Sequence, residues 1–487
     1  MFRQVLVASE HRDYQRIIWR ETPADEIQVY RLKTITYGMA CSPYNAVRAL
    51  QQCAYDNSAV VPERQQGTLG RAAILTSFYV DDFLTSCESV TEAVKLAKNV
   101  DAVLSAGQFT LRKWSSNDSQ VMIRLSNEPS LSNYVFHAGE ASVLGLRWDA
   151  LEDQLFFRVD LCQRVEIPTK RRVLSEVARL FDPTGFLSPV IVTGKIFIQR
   201  LWSAGLSSDS PLPDDLCREW LKYRSQLPEL NQIRIEQWMG MISRVQISFH
   251  GFCDASSHAY AAVIYAKTSN TNGSMRFTLL TARTKVAPLK IATIPRLELA
   301  PALLLAETFQ NVRDSLGLVD VPYYLWSDSA IVLRWLRKDP ATLKPFISNR
   351  VRRIQELTSP ARWHHIRSAH NPADCASRGI TPAELLVHPL WWHGPKEAEM
   401  MYGDSSDVPL SKDESNVFLA ENRNTTKFIV LIPMYTRRPN GHAILLTERF
   451  SSITRLLGTL AIILRWLGRR RHFRQPVIVA QEKHYTL

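Results

Sequence analysis

The sequence predicts a multidomain protein of mixed α/β class, and three observations lead to this prediction. The chain has 487 residues, whereas a single domain usually has roughly 100–200. Over residues 1–150, short runs of alternating apolar and polar residues, typical of half-buried strands, are interrupted by helical stretches. From residue 245 onward, three strand-like runs precede helices and strands in alternation, which is the order of a self-contained α/β unit.

The composition indicates what kind of molecule the protein binds and in which cellular compartment it is expected. The formal charge of +12 and the pI of about 9.4 favour a polyanionic partner such as nucleic acid. The seven cysteines are odd in number and no two form a C-x-x-C pair, which disfavours a disulfide framework and a structural zinc site. The N-terminus carries early charges instead of a signal peptide. We therefore expect a reducing compartment, cytoplasmic or nuclear, and neither secretion nor a membrane span.

The first 150 residues alternate between strand and helix patterns. Residues 27–35 predict a strand, and residues 42–56 predict a helix with Ser42 as N-cap and a proline in its first turn. Residues 74–85 are rich in β-forming residues on both sides of an Asp pair. Residues 88–106 predict a helix and residues 133–149 predict strands.

Residues 151–240 are basic and helical. One helix is predicted to begin at Thr169 and to stop at Asp182-Pro183, and a second covers residues 190–202. Far beyond the α/β unit, the polar residues 396–426 predict a linker. The tail predicts an amphipathic helix over 456–467, too short to cross a membrane, and a basic run over 469–474.

Asp81 and Asp82 form the first candidate site, within the sequence Tyr-Val-Asp-Asp. Adjacent carboxylates repel each other, and their placement between apolar strands is costly without a cation. Mg²⁺ prefers oxygen ligands and commonly uses one or two carboxylates together with substrate phosphates. The alternative is an ordinary polar turn, since Asp is a common turn residue.

Four spaced carboxylates form the second candidate site. Each follows a predicted strand or lies near the start of a predicted helix, so the fold can gather them at one edge of a sheet, where two Mg²⁺ or Mn²⁺ ions would fit across a scissile phosphate. They are Asp254, Glu298, Asp328 and Asp374. Each also has a purely structural alternative: Asp328 and Asp374 as helix N-caps, and Glu298 as a first-turn partner of the helix dipole.

Residues 1–150 resemble the reverse transcriptases of the Bel/Pao class of LTR retrotransposons. The resemblance runs through MFRQVLVASEHRDYQRIIWR, TYGMACSPYNAVRAL, YVDD, FTLRKWSSN and LGLRWD in the family's order, and such an ordered set is more specific than YVDD alone. It implies a partial palm in which Asp81 and Asp82 bind metal. It implies that nucleotide and template lie near Tyr37, Gly38, Tyr79 and Lys113. The family's first catalytic Asp precedes the segment that begins this sequence, so we expect that Asp and the fingers to be missing and polymerase activity to be lost in this chain alone.

The four carboxylates resemble the D-E-D-D set of ribonuclease H. The strings FCDASSHAYAAVIY, TKVAPLKIATIPRLEL, LWSDSAIVLRWL and NPADCASRG are similar to the Bel/Pao ribonuclease H. The resemblance implies that His370 occupies the place of a mobile product-release histidine, although a surface loop histidine is the alternative. It further implies a thumb-like connection in which Lys170, Arg171 and Arg172 contact the nucleic-acid backbone. The tail is similar to the linker before an integrase, and we expect no integrase here.

We therefore expect four regions and one principal activity. The regions are a partial palm (1–150), a thumb-like connection (151–240), a ribonuclease H-like domain (241–385), and a linker with a basic tail (386–487). The expected activity is Mg²⁺- or Mn²⁺-dependent hydrolysis of RNA in RNA–DNA hybrids, with primer–template as a further partner and no haem or nucleotide cofactor. Two alternatives stay open: an inert nucleic-acid-binding remnant, and an aspartic peptidase suggested by Asp254-Ala255-Ser256. The sequence leaves the oligomeric state open.

Overall fold

The structure is a computed structural model, and it describes residues 1–60, 64–127, 140–143, 146–161, 167–238, 246–269, 275–289, 293–318, 320–400 and 409–422. The predicted tail helix over 456–467 and the basic run over 469–474 lie outside these residues. Residues 1–424 form one compact unit. Helices and sheets are mixed throughout it, which confirms the predicted fold class.

The helices of the described residues lie along the whole unit. They are α1 (Ser42–Asn57), α2 (Arg64–Thr76), α3 (Val90–Ala106), α4 (Ser119–Ser126), α5 (Lys170–Ala178), α6 (Ser188–Ser203), α7 (Asp214–Gln226), α8 (Ile294–Leu316), α9 (Ala330–Arg337), α10 (Pro345–Leu357), α11 (Ala373–Arg378), α12 (Pro382–Leu386), α13 (Pro389–His393) and α14 (Lys412–Ala420).

The strands of the described residues form four sheets. The strands are β1 (Arg16–Trp19), β2 (Gln28–Arg31), β3 (Phe78–Tyr79), β4 (Asp82–Phe83), β5 (Glu140–Val143), β6 (Leu146–Asp149), β7 (Gln154–Phe156), β8 (Arg234–Glu236), β9 (Gln246–Ala255), β10 (Ala259–Ser269), β11 (Met275–Val286), β12 (Tyr323–Ser327) and β13 (Trp363–His365). β1–β2 and β3–β4 are hairpins, and β5-β6-β7-β8 is a four-stranded antiparallel sheet.

The largest sheet has the order β11-β10-β9-β12-β13. β9 pairs antiparallel with β10, and β10 with β11, whereas β12 lies parallel to both β9 and β13. The three predicted strands, the following helix and the later strand–helix alternation are confirmed. The helix predicted over residues 295–312 is α8, which begins one residue earlier and ends four residues later, and the helix predicted over residues 345–357 is α10.

Both faces of this sheet are buried, and successive residues of a strand point to opposite faces. On one face Phe249, Cys253 and Ile264 pack with the apolar residues of α8, α9 and α10. On the other face Phe252 and Tyr265 join a core that also includes side chains of β10, β11 and β12 and of residues 146–233 and 366–400. The helical region 151–240 therefore covers the second face of the sheet, and the two share one core.

Several local predictions were wrong. The helix that begins at Ser42 has Cys41 at its N-cap position, and the Ser42 hydroxyl donates to the carbonyl of Thr36 instead. Residues 74–76 end α2 and do not form a strand, so the β structure around the Asp pair is a short hairpin. Residues 409–422 are not a linker, because they include the capped helix α14, whose Val417 and Phe418 pack on the core of α8–α10. In the described part of the chain no helix is long and apolar enough to cross a membrane.

Candidate active site

Two of the four carboxylates are placed side by side by the pairing of parallel strands. Cys253 of β9 is the register partner of Ser327 of β12. Asp254 and Asp328 are the residues that come next in the chain. Strands that run parallel end at the same edge of a sheet, so the two acids lie side by side. Asp254 is buried and Asp328 is half-buried. The sequence prediction that a strand precedes each Asp is therefore confirmed.

Helices bring the other two carboxylates to the same edge. Glu298 is the fifth residue of α8, which packs across β9 and β10. Asp374 is the second residue of α11, which contacts the same two strands. The pKa of Asp254 is raised by both Asp328 and Asp374, and that of Glu298 by Asp328 and Asp254, so each of the four acids interacts electrostatically with at least one other. We call these four residues the carboxylate cluster.

Each member of the carboxylate cluster has its own hydrogen-bond donor. Ser377 donates to Oδ2 of Asp254, and Ser329 donates to Oε2 of Glu298. Ser368 donates to Oδ2 of Asp328 at 2.6 Å. The Arg378 guanidinium donates through Nε to Oδ1 of Asp374, also at 2.6 Å. The helix-cap alternative for Asp328 is wrong, because Ser329 is the residue whose side chain caps α9.

Burial and mutual repulsion raise the pKa of three of these carboxyls. The pKa of Asp254 is raised to about 6, chiefly by burial and then by Asp328, and Ser377 opposes the rise. The pKa of Glu298 is raised to about 7, again chiefly by burial, and Ser329 opposes it. Burial also raises the pKa of Asp328, and Ser368 opposes that rise. Neighbouring acids of this kind each favour a nearby positive charge.

The donor chemistry of the carboxylate cluster fits a hard divalent cation, which takes oxygen ligands. The cluster fits such a cation because its four side chains offer oxygen ligands and because their mutual repulsion would be relieved by a positive charge. As they stand, however, no three His, Cys, Asp or Glu side chains within the described ranges are gathered closely enough to hold a metal ion. To hold a cation, these carboxylates would have to move closer together than they lie here.

The sequence reasoning missed the donors to the cluster. Ser377 and Arg378 follow Asp374 by three and four residues, a spacing that puts all three on one face of a helix, so the signal was present in ADCASR. Asn371 was also missed: its Nδ2 donates to the carbonyl of Cys253 at 3.0 Å, and this bond joins the start of α11 to β9. Ser329 was a detectable N-cap, but its bond to Glu298 depends on the packing of α8.

His370 and two other histidines of the domain occupy different environments. Nδ1 of His370 lies 3.3 Å from the Glu399 carboxylate, so this side chain is close to an acid outside the cluster. Burial lowers the pKa of His365, and the nearby Asp328 opposes that change. His258 lies exposed in the β9–β10 turn next to Ser257. A product-release role for His370 stays a prediction.

The Asp81–Asp82 pair is exposed and lies in a short hairpin with a two-residue turn. Tyr79 and Asp82 face each other across β3 and β4, and Val80 and Asp81 form the turn. Val80 has φ +58°, a left-handed conformation that is rare for a β-branched residue. Its side chain packs with Phe2, Ile35 and Ala46. Three segments that the sequence singled out, residues 1–20, 36–50 and the hairpin, therefore meet in the structure.

Of the predicted nucleotide and template residues, Tyr37, Gly38 and Tyr79 lie at or next to this meeting point. The exposed ring of Tyr37 contacts that of Phe2, with the ring centroids 4.8 Å apart. Gly38 has φ +86° and open space where a side chain would be. Lys113 is exposed and has φ +60°. The roles of these residues and of Tyr79 stay predictions.

The predicted backbone contacts of α5 find little support. Lys170 is buried, donates through Nζ to the carbonyl of Leu206 at 2.7 Å, and lies 3.9 Å from the centroid of the Trp202 ring. The Arg171 guanidinium binds both carboxylate oxygens of Asp209, at 2.6 and 2.9 Å. Arg172 lies 3.3 Å from Glu176. Lys170 therefore serves the packing of α5, because its charged end is already enclosed.

Residues 169–329 match the family described as the Pao retrotransposon-like RNaseH-like domain. The matched range begins at the N-cap of α5, and it includes Asp254, Glu298 and Asp328 but not Asp374. The chain therefore carries an RNase H-like domain of the Pao retrotransposon type. Among curated proteins no match was found.

Solved structures with some likeness include ribonucleases H and a viral enzyme. The N-terminal RNase H domain of rv2228c from Mycobacterium tuberculosis, as a fusion with maltose-binding protein, is 17% identical, with 28% of this chain and 94% of that chain covered and a TM-score of 0.19. LC11-RNase H1 in complex with an RNA/DNA hybrid is 17% identical, with 26% and 88% covered and a TM-score of 0.19. The protease-reverse transcriptase of prototype foamy virus is 12% identical, with 77% and 65% covered and a TM-score of 0.18. These TM-scores are too low to support an argument.

Proposed function

We propose that this chain, whose domain match fits a pol fragment of a Bel/Pao retrotransposon, hydrolyses the RNA strand of RNA–DNA hybrids with the help of a divalent cation. The observation that supports this proposal is the carboxylate cluster at the shared end of β9 and β12. Burying several mutually repelling acids costs stability. A cation bound during catalysis would offset their repulsion and would explain why the acids are placed together.

The cluster residues would hold Mg²⁺ or Mn²⁺, chiefly through Asp254 and Asp328 on the adjacent strands. When bound, such an ion would lower the pKa of an attacking water and stabilise the departing 3′-oxygen. The chain itself supplies position and charge. β9 and β12 fix the spacing of two acids, α8 and α11 bring one acid each, and the serine hydroxyls orient three of the four side chains.

A reverse-transcriptase ancestry for residues 1–150 is a further part of the proposal. The meeting of the hairpin, the N-terminal segment and α1 around Val80 supports it. We expect no templated incorporation of dNTPs by this chain. Asp81 and Asp82 are exposed, and in the described part of the chain no third metal-binding side chain is gathered with them. Incorporation that is lost on Asp81→Asn would contradict this expectation.

The decisive experiment is cleavage of an RNA–DNA hybrid labelled on the RNA strand, in the presence of Mg²⁺. We expect cleavage by the parent chain and a loss of at least about 100-fold in Asp328→Asn, since removal of a metal-binding carboxylate disables the site. The matched control is Asp314→Asn, an exposed carboxyl at the far end of α8 that accepts a hydrogen bond from Gln310. Chelation of the cation should stop cleavage as completely as Asp328→Asn.

The same experiment separates the alternatives. A folded chain that binds the hybrid but cleaves nothing would be the inert nucleic-acid-binding remnant. Peptide cleavage that resists chelation would favour the aspartic peptidase. The structure lends the peptidase no support, because Asp254 lies within β9 and Ser256 forms the β9–β10 turn, where its Oγ accepts from the backbone N–H of Ala259 at 3.1 Å. An aspartic peptidase needs two acids in loops that share one proton.

A further inference from the structure

Helix α11 contributes more than its acid to the carboxylate cluster. Ser377, three residues after Asp374, is fully buried, and its Oγ lies within hydrogen-bond distance of both Asp254 Oδ2 and the carbonyl of Asp374, the latter at 3.0 Å. One hydroxyl has one hydrogen to donate. A carboxylate is the stronger acceptor of the two, so the hydrogen is directed to Asp254.

Two further bonds fix Ser377 relative to β9. Oγ of Ser256, two residues after Asp254, donates to the carbonyl of Ser377 at 2.7 Å. Nδ2 of Asn371 donates to the carbonyl of Cys253 at 3.0 Å. These contacts join both ends of α11 to the strand end that carries Asp254. The hydroxyl of Ser377 therefore approaches Asp254 from a rigid support.

The bond also selects which oxygen of Asp254 is available. Oδ2 is engaged by Ser377, and of the described contacts none is made to Oδ1. A carboxylate without this bond would be free to rotate about its Cβ–Cγ bond and to present either oxygen. Outer partners that orient a metal-binding side chain typically change metal affinity by 10–100-fold when removed.

We propose that Ser377 is a positioning residue that holds the Asp254 carboxylate in the orientation required to bind a divalent cation. This inference rests on the proposed function, since it takes the carboxylate cluster as the cation site. It goes beyond the four acids by assigning a task to a neutral side chain. The same hydroxyl also helps to offset the cost of burying Asp254 when no cation is bound.

The test is Mn²⁺ binding, measured by electron paramagnetic resonance on the full chain without nucleic acid. Asp81→Asn and Asp82→Asn are introduced throughout, so that the hairpin does not contribute ions. We expect Ser377→Ala to raise the Mn²⁺ dissociation constant at least about tenfold. Ser377→Cys retains a side chain of similar size with a weaker donor, and it should weaken binding in the same direction.

The matched control is Ser348→Ala. Ser348 is also a buried helical serine of the same domain, and its Oγ donates to the carbonyl of Pro340 at 2.7 Å, away from the cluster. It should lose stability without changing Mn²⁺ affinity by more than about twofold. Circular dichroism establishes that each variant is folded, and Ser377→Cys takes the place of Ser377→Ala if the latter does not fold.

The outcomes separate this inference from the function on which it rests. A folded Ser377→Ala that binds Mn²⁺ as tightly as the parent overturns the positioning role, and hybrid cleavage by the parent would then leave the ribonuclease proposal intact. A parent chain that neither binds Mn²⁺ nor cleaves the hybrid overturns both. Equal weakening by Ser348→Ala would reduce the effect of Ser377 to general stability and would also overturn the inference.

Discussion

At the residue scale, the carboxylate cluster shows acids placed where they cost stability. Glu298 lies against Ser329 and close to three other acids, Asp328, Glu414 and Asp254, and burial raises its pKa to about 7. A protein selected only for stability would have little reason to retain such a group, because an apolar residue of similar size would avoid the desolvation cost. The cost is consistent with a site that awaits a cation.

The raised pKa of Glu298 predicts a pH effect on the metal-free protein. A carboxyl whose folded pKa exceeds its unfolded value contributes stability that is fully present below the unfolded pKa and is lost as the pH rises through the folded one. We therefore expect the free energy of unfolding of the parent, relative to Glu298→Gln, to fall between pH 5 and pH 8 by on the order of 2 kcal/mol. Denaturant unfolding of both proteins at several pH values, with chelator present, measures it.

The comparison with Glu298→Gln removes the titration of other groups. Burial lowers the pKa of His250 to about 3, so this histidine contributes stability that is present above its unfolded pKa and is lost as the pH falls. Its effect has the opposite sign, but it is common to both proteins and cancels in the difference. A difference that stays constant from pH 5 to pH 8 would show that Glu298 is not destabilised by its surroundings.

Much of the cluster could be predicted from the sequence because its acids are tied to the regular pattern of strands and helices. Asp254 and Asp328 lie at the ends of apolar strand runs, and the parallel pairing of those strands brings the two acids to the same edge of the sheet. The hydroxyl donors depend on which elements pack together, and that information is not local. Lys170 shows the same limit: a basic helix start suggested a phosphate contact, whereas Trp202 and Leu206 enclose the ammonium group.

At the element scale, α14 is the clearest departure from the sequence prediction. Polar residues suggested a linker, yet Ser411 and Glu414 form a capping box, and the apolar side chains of the helix pack on the α8–α10 core. The chain then continues along the domain: Asn422 bridges to Leu343, and Glu421 binds Arg296 of α8. We call residues 409–422 the strap. Glu414, at the start of α14, raises the pKa of Glu298, so the strap passes near the cluster.

The strap predicts a stability effect at Glu421. This carboxylate is buried and lies 2.6 Å from the Arg296 guanidinium. Glu421→Gln removes the negative charge and leaves the Arg296 guanidinium with a neutral acceptor only, so we expect a loss of about 1–3 kcal/mol in the free energy of unfolding. Glu356→Gln is the control, since its pair with Arg353 is half exposed and should contribute no more than about 0.5 kcal/mol. Equal effects in thermal or denaturant unfolding would show that the strap is not anchored there.

Long elements with a strict apolar period were predicted well, and short or irregular ones were not. α3, α6, α8 and α10 and the strands of the large sheet lie near their predicted positions. α12 and α13 have five residues each, too few for a helical period to be recognised, and they are held by tertiary contacts such as the bond from Trp391 Nε1 to the carbonyl of Phe186 at 3.0 Å. The β7–β8 pairing joins segments nearly 80 residues apart, which no local pattern reveals.

At the scale of the whole molecule, the large sheet is closed on both faces by different parts of the chain. Helices α8–α10 cover one face, and the helical region before the sheet covers the other. The loop before α6 is hydrogen-bonded directly to the sheet: the backbone N–H of Ala282 in β11 donates to the carbonyl of Thr184 at 2.9 Å. The family match also begins at residue 169, well before the sheet. A domain boundary at residue 241 would divide this core.

The shared core predicts which fragment folds. A chain of residues 241–424 keeps the sheet but exposes the face that Leu187, Val190 and Leu230 cover, all of them buried in the whole protein. We expect this fragment to aggregate or to show no cooperative thermal unfolding, because a large apolar face would meet water. A chain of residues 140–424 retains the covering helices and the four-stranded sheet β5–β8, and it should unfold cooperatively. Cooperative unfolding of the shorter fragment, with hybrid cleavage retained, would instead place an independent domain boundary at residue 241.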